Sequence, residues 1–373
     1  MDLSKAFDCI RHDLLIAKLH AYGFSREALL LVHSYLENRQ QRVKINGSFS
    51  TYKYLRFGVP QGSVLGPLFF NIYINDLLLS IQETEICNCA DDTTIYACDM
   101  RLENVISRLE SDSKIIIEWF ANNYMKLNED KCHFMVFGES TNEELSINIG
   151  SCAVGNSKEE KLLGVLIDTN LSFEKHISNI CQKAGNKLFA LSRMSAYLGT
   201  DKLRLLMRAF VTSQFQYCPL VWMFHSRKMN NKINRLHERA LRIAYKDYSS
   251  SFATLLEKDR SVTIHEKNMQ LLMTEMFKTI NNLNPSFMNE IFLQRNPPYN
   301  LRNTNTFLLP RVHTVNYGTE TVRYRGQRIW RSLPQEIKDA GSVQQFKNKI
   351  KFWKNGDCDC RLCKQYIPQL GFL

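Results

Sequence analysis

The hydrophobic rhythm of this 373-residue chain changes once, near residue 170, and that change limits the folds open to it. Upstream, apolar residues come in short bursts separated by turn-forming pairs. Residues 41–57 alternate through Val43, Ile45, Tyr52 and Tyr54 around Asn46-Gly47, a pair suited to the positive φ angles of a tight hairpin turn. Residues 2–36 predict a short strand, a turn and two helices, because Leu14, Leu15, Ala17, Leu19 and then Leu29, Leu30, Val32, Leu36 keep a helical period. A Gly- and Pro-punctuated turn over 58–67 leads into an apolar helix over 68–79. Another helix is predicted near 101–124, with strands over 133–137 and 162–168. From Ser172 onward the pattern is helical for more than a hundred residues, with one stripe through Ile177, Ile180, Cys181, Ala184, Leu188 and Leu191. Mixed strands and helices followed by helices alone predict an α+β fold.

Within the first half, Asp91-Asp92 stands out. Its flanks, 86–88 and 93–96, are rich in β-branched and aromatic residues, so the doublet is expected at the tip of a hairpin. Adjacent carboxylates repel unless a cation neutralises them, and hard divalent ions choose carboxylate oxygens. A third carboxylate, Asp2, lies far upstream. Taken alone, the doublet also fits a solvated turn.

Charge narrows the partner. The chain carries a net charge of +11, and residues 182–260 hold fifteen Lys or Arg against five Asp or Glu, which is +10 of it. Such a segment suits a polyanion, nucleic acid before an anionic membrane surface. On a helix, Lys228, Lys232, Arg235, Arg239, Arg242 and Lys246 fall on one stripe, beside an apolar face of Ile233, Leu236, Ala240 and Ile243. No apolar run is long enough to span a bilayer, and residues 1–5 do not form a signal peptide. Eleven scattered cysteines argue for reduced thiols, hence a nuclear or cytoplasmic protein that is not secreted. Cys358, Cys360 and Cys363 form C-x-C-x-x-C, which could hold a structural zinc with His265 or His313 as a further donor.

Three blocks occur in order: Asp2-Leu3-Ser4-Lys5-Ala6-Phe7-Asp8, then Gly58-Val59-Pro60-Gln61-Gly62-Ser63-Val64-Leu65-Gly66-Pro67, then Ala90-Asp91-Asp92. Together they resemble the palm motifs of reverse transcriptases of non-LTR (LINE-like) retrotransposons. Leu127-Asn128-Glu129-Asp130-Lys131-Cys132, Leu162-Leu163-Gly164-Val165, and the tail block from Tyr324-Arg325-Gly326 through Trp330, Leu333-Pro334 and Phe346-Lys347 extend the likeness along nearly the whole chain.

The resemblance implies an antiparallel palm packed on helices over 1–170, without the fingers that precede it in the family. A basic helical thumb over 171–293, a linker over 294–306 and a small C-terminal region over 307–373 follow. It implies an N-terminally truncated RNA-directed DNA polymerase in which two Mg2+ or Mn2+ ions sit on Asp2, Asp91 and Asp92. Lys131 would protonate the leaving pyrophosphate. Phe7 would exclude a 2′-hydroxyl, and Pro60, Gln61 and Gly62 would contact template and incoming nucleotide. Asp8 is expected to be structural or to support the metal-binding acids from behind, and His12 to cap or orient the first helix. Cys89 stands where the family carries an aromatic ring. The partners implied are an RNA template, a DNA primer and deoxynucleoside triphosphates, with no membrane. A catalytically inactive nucleic-acid-binding remnant, using the basic helix alone, is the second reading.

Overall fold

The computed structural model describes residues 1–138, 145–294, 307–351, 353, 360 and 362. They form two compact units, Met1–Lys158 and Glu159–Leu373.

The first unit mixes short strands with helices in the order β1 (Leu3–Ser4), α1 (His12–Ala21), α2 (Arg26–Leu36), β2 (Gln40–Gln41), β3 (Lys44–Ile45), β4 (Ser48–Phe49), β5 (Lys53–Tyr54), α3 (Leu65–Ile74), β6 (Glu85–Cys89), β7 (Asp92–Tyr96), α4 (Leu102–Asn122), β8 (Lys126–Leu127), β9 (Ser146–Ile149) and β10 (Cys152–Gly155). Among the described residues every ladder is an antiparallel pair: β1 with β8, β2 with β5, β3 with β4, β6 with β7 and β9 with β10. The expected single palm sheet is therefore replaced by separate two-stranded pairs. Helices supply the continuity. Leu15 and Leu19 of α1, Phe69, Phe70 and Tyr73 of α3, and Ile116 and Phe120 of α4 close one core with Leu3 and Ile10. Nearer the start of α4, Leu109 packs against Cys132, Phe134, Ile147 and Ile149 in a second core. The predicted strand over 133–137 is reduced to one bridge, Phe134 with Asn156, because the Asn156 side chain takes the Val136 amide that a neighbouring strand would otherwise accept.

The second unit opens with the hairpin β11 (Glu159–Leu162) and β12 (Val165–Asp168), followed by α5 (Glu174–Met194), α6 (Thr200–Leu206), α7 (Pro219–Trp222), α8 (Arg227–Tyr245), α9 (Phe252–Asp259), α10 (Ile264–Ile280), α11 (Met288–Ile291), α12 (Val322–Ser332), α13 (Gln335–Lys338) and α14 (Val343–Ile350). The expected strand over 162–168 is thus two strands turned at Leu163-Gly164, both at positive φ. Val165 of β12 joins the core of α5 and α8, so the hairpin packs with the helices of the unit that begins at Glu159. The whole predicted apolar stripe of α5 is buried. The tail helices are packed, not appended. Trp330 and Phe346 join Met273, Met276 and Phe277 of α10 in one core, with the Phe277 and Phe346 rings stacked at 4.4 Å. Gly326 makes this approach possible, since a Cβ there would lie 3.1 Å from the Met276 sulfur and 3.2 Å from the Phe292 ring. The expected linker falls almost entirely outside the described residues.

Candidate active site

Asp2 immediately precedes β1, whose ladder with β8 pairs Leu3 with Leu127. The Asn128 amide donates to the Asp2 carbonyl at 2.9 Å and extends that pairing by one step. On the other side, Met1 and Thr93 exchange main-chain hydrogen bonds at 2.7 and 3.3 Å. This exchange lays Asp2 and Asp92, each one residue from the pair, on neighbouring segments. Asp91 sits in the hairpin turn itself, after Ala90 at φ 54°, and Asp92 opens β7 opposite Cys89. The doublet thus straddles turn and strand. Asp2 and Asp91 are half-buried, and Asp92 is exposed.

Lys131 reaches Asp2, with Nζ 3.2 Å from Oδ2. It stands on a short turn right after β8, so the β1–β8 ladder brings the two together. Among the described residues, no group of three or more His, Cys, Asp or Glu side chains is gathered closely enough to hold a metal ion. The three carboxylates occupy adjoining strands without forming a closed cluster.

The glycine turn docks against the same segment. Gly58 has φ +81°, and a Cβ there would lie 2.9 Å from the Asp8 Cα, so both backbone conformation and space demand glycine. Its amide donates to the Ile10 carbonyl at 2.8 Å, and the Val59 amide to the Phe7 carbonyl at 3.1 Å. The Gly58 carbonyl accepts from Arg39 at 3.2 Å and bonds the His12 ring at 2.8 Å. His12 therefore ties α1 to the turn; it does not cap its helix. Gln61 donates to Asp8 at 3.0 Å. Pro60 is half-buried, and its carbonyl accepts from the Ser63 hydroxyl, while Gln61 and Gly62 are exposed. The Phe7 ring is half-buried and stacks on Phe70 at 4.5 Å, so one side chain serves the core and borders the site.

One positioning residue was not foreseen. Asp112 of α4 is fully buried and accepts from the Glu83 amide, the Thr84 amide and the Thr84 hydroxyl at 2.7–3.0 Å, which anchors the approach to β6. Burial pushes its carboxyl upward, but the hydrogen bonds from Thr84, Glu83 and Gln82 outweigh it and hold the group below the usual carboxylate range.

A family profile for reverse transcriptase (RNA-dependent DNA polymerase) matches residues 1–167. This segment belongs to the reverse transcriptase family. Relatives extend the likeness beyond it. The RNA-directed DNA polymerase from mobile element jockey of Drosophila melanogaster is 29% identical over 203 residues, covering 52% of this chain and 22% of that protein. Its counterpart in Drosophila funebris is 26% identical over 252 residues, 65% of this chain and 27% of that protein. The probable RNA-directed DNA polymerase from transposon BS of Drosophila melanogaster is 25% identical over 254 residues, with coverages of 65% and 28%. The chain thus spans about a quarter of the length of the curated relatives it matches, and it is homologous to non-LTR retrotransposon polymerases.

Beyond the reverse transcriptase motifs, α8 presents the predicted stripe in part. Lys228, Lys232, Arg235 and Arg239 are exposed, and the first three line a groove of about 510 Å³ with Ser178, Met229 and Asn231. Arg242 is occupied internally, bonded to the Tyr248 carbonyl at 2.6 Å and to Glu238 at 2.7 Å. Lys246 lies past the helix end at φ 53°. Cys358 and Cys363 lie outside the described residues. Cys360 is buried, with Sγ 3.4 Å from His265 Nε2. No helix among the described residues is long and apolar enough to cross a membrane.

Proposed function

We propose that the chain carries out RNA-directed DNA synthesis, joining a deoxynucleotide to a primer 3′-hydroxyl. The observation that carries this reading is the Met1–Thr93 main-chain pair, which sets the Asp2 and Asp91-Asp92 segments side by side within a matched reverse transcriptase domain. The donor set fits magnesium or manganese: carboxylate oxygens on adjoining strands, with Asp92 exposed and Asp2 and Asp91 half-buried. When bound there, two such ions would activate the 3′-hydroxyl and steady the pyrophosphate. The chain's own residues do the rest. Lys131 holds a proton beside Asp2. Phe7, fixed by stacking on Phe70, walls the sugar edge. The turn at Pro60, Gln61 and Gly62 offers backbone to template and nucleotide. Lys228, Lys232, Arg235 and Arg239 neutralise duplex phosphates.

Primer extension on poly(rA)/oligo(dT) with the full chain tests this. The reading requires dTMP incorporation that depends on Mg2+ or Mn2+ and stops with EDTA. Binding of the duplex with no incorporation under either metal would instead support the remnant reading.

A further inference from the structure

The segment between the first two motifs carries a feature that the polymerase chemistry does not use. Residues 38–58 contain Arg39, Arg42, Lys44, Lys53 and Arg56 and not one Asp or Glu. They fold as one long hairpin: Gln40 pairs with Tyr54, Gln41 with Lys53, Lys44 with Phe49 and Ile45 with Ser48. The Asn46-Gly47 turn closes it, at φ 48° and 86°. Between the two ladders the register slips by one residue at Thr51, a bulge. The slip brings Tyr52 to the same cation as Phe49. The Arg42 guanidinium lies 3.9 Å from the Phe49 ring centroid and 4.7 Å from that of Tyr52, and Lys44 lies 5.1 Å from Phe49.

Nothing in residues 40–54 is buried. Two-stranded hairpins are marginal in water without a packing partner, and this one adds no residue to either core of its unit. It instead exposes half or more of Phe49, Tyr52, Tyr54 and Phe57. At its base lies a cleft of about 680 Å³ lined by Lys5, Arg39, Tyr54, Arg56, Phe57 and Gln61. The one acid at this cleft, Asp8, is engaged by Gln61.

Rings interleaved with cations, without acids, match one polymer. Unpaired bases offer π-faces to the rings while their phosphates meet the cations. A duplex hides those faces in its own stack and would use the charge alone. We propose that the Arg39–Phe57 hairpin is a docking surface for single-stranded nucleic acid, which it leads toward Gln61. The surface works without metal and without catalysis, so it stands apart from the carboxylate chemistry.

Anisotropy of fluorescent oligo(rU) and of a duplex of equal length, both with the full chain in EDTA, tests this. The Phe49→Ala/Tyr52→Ala double variant, whose rings are exposed and leave the fold intact by circular dichroism, is expected to weaken single-strand binding about tenfold or more while changing duplex binding less than about twofold. Arg42→Gln/Arg56→Gln is expected to lower the salt slope for the single strand by about one to two. Unchanged single-strand affinity in both variants overturns the proposal. So does equal weakening of single strand and duplex, and so does a ring variant that alters only self-association in sedimentation or only binding to vesicles containing phosphatidylserine.

Discussion

The two units spend their residues differently. Met1–Lys158 holds its candidate site on short ladders and turns, whereas Glu159–Leu373 buries long helical stripes around Trp222, Leu272 and Phe346. Backbone pairing positions Asp2, Asp91 and Asp92, and a glycine turn positions Gln61. In the second unit, packing holds α8 so that its basic face stays outward. The contrast teaches that the first unit depends on backbone geometry and the second on volume and burial.

Core truncation is the sharpest way to break that contrast. Trp222 is fully buried and donates to the Tyr217 carbonyl at 3.1 Å, so Trp222→Ala is expected to cost about 3–5 kcal/mol. Phe49→Ala in the exposed hairpin is expected to change stability by less than about 0.5 kcal/mol. Denaturant unfolding midpoints of the two variants decide. Equal losses would erase the distinction.

Acid should act on the second unit next. Burial pushes the His225 and His237 imidazoles down to about 4, against an ordinary value near 6.5. Below pH 6.5 the unfolded chain takes up protons that these folded imidazoles refuse. Stability is therefore complete above pH 6.5 and falls as the pH drops toward 4, by up to roughly 3 kcal/mol per imidazole. Unfolding free energies at pH 7, 5.5 and 4.5 check this, and a flat profile would show that both rings charge without penalty in the fold.

A backbone lesion should fall on the first unit. Gly58→Ala places a Cβ against Asp8 at positive φ and is expected to cost about 1–3 kcal/mol. A loss confined to unfolding, with primer extension intact, would contradict the turn's proposed positioning role. The mildest change is Arg235→Gln/Arg239→Gln on α8. It should reduce the salt slope for duplex binding by about two while leaving the unfolding midpoint in place.

The sequence was legible wherever local rules decided the outcome. Asn46-Gly47 turns as its dihedral preferences demand, and α4 spans Leu102–Asn122 where periodicity placed a helix. It was opaque where a distant group intervened. Leu163 takes a left-handed conformation that leucine disfavours, held by the Tyr217 hydroxyl on its carbonyl, so an apparent strand became a hairpin. The Asn156 side chain displaced a ladder partner at Val136, and a strand dissolved. At the site, motif order singled out Asp2 and Asp91-Asp92 as candidates. It could not reveal that Lys131 would lie against Asp2, that His12 and Arg39 would share the Gly58 carbonyl, or that Asp112 would brace the hairpin, because each pairing spans residues distant in sequence or an unexpected burial.

In the proposed function, Asp2, Asp91 and Asp92 of the first unit support metal-dependent nucleotidyl transfer, and the basic helix α8 of the second unit holds the duplex. The most direct measurement is single-turnover dTTP incorporation by Asp91→Asn on a preassembled poly(rA)/oligo(dT) complex with Mn2+. The account predicts a loss of about a thousandfold or more with duplex affinity unchanged, since Asp91 supplies a charge that the reaction needs and the duplex does not. Incorporation at the wild-type rate by this variant would contradict it.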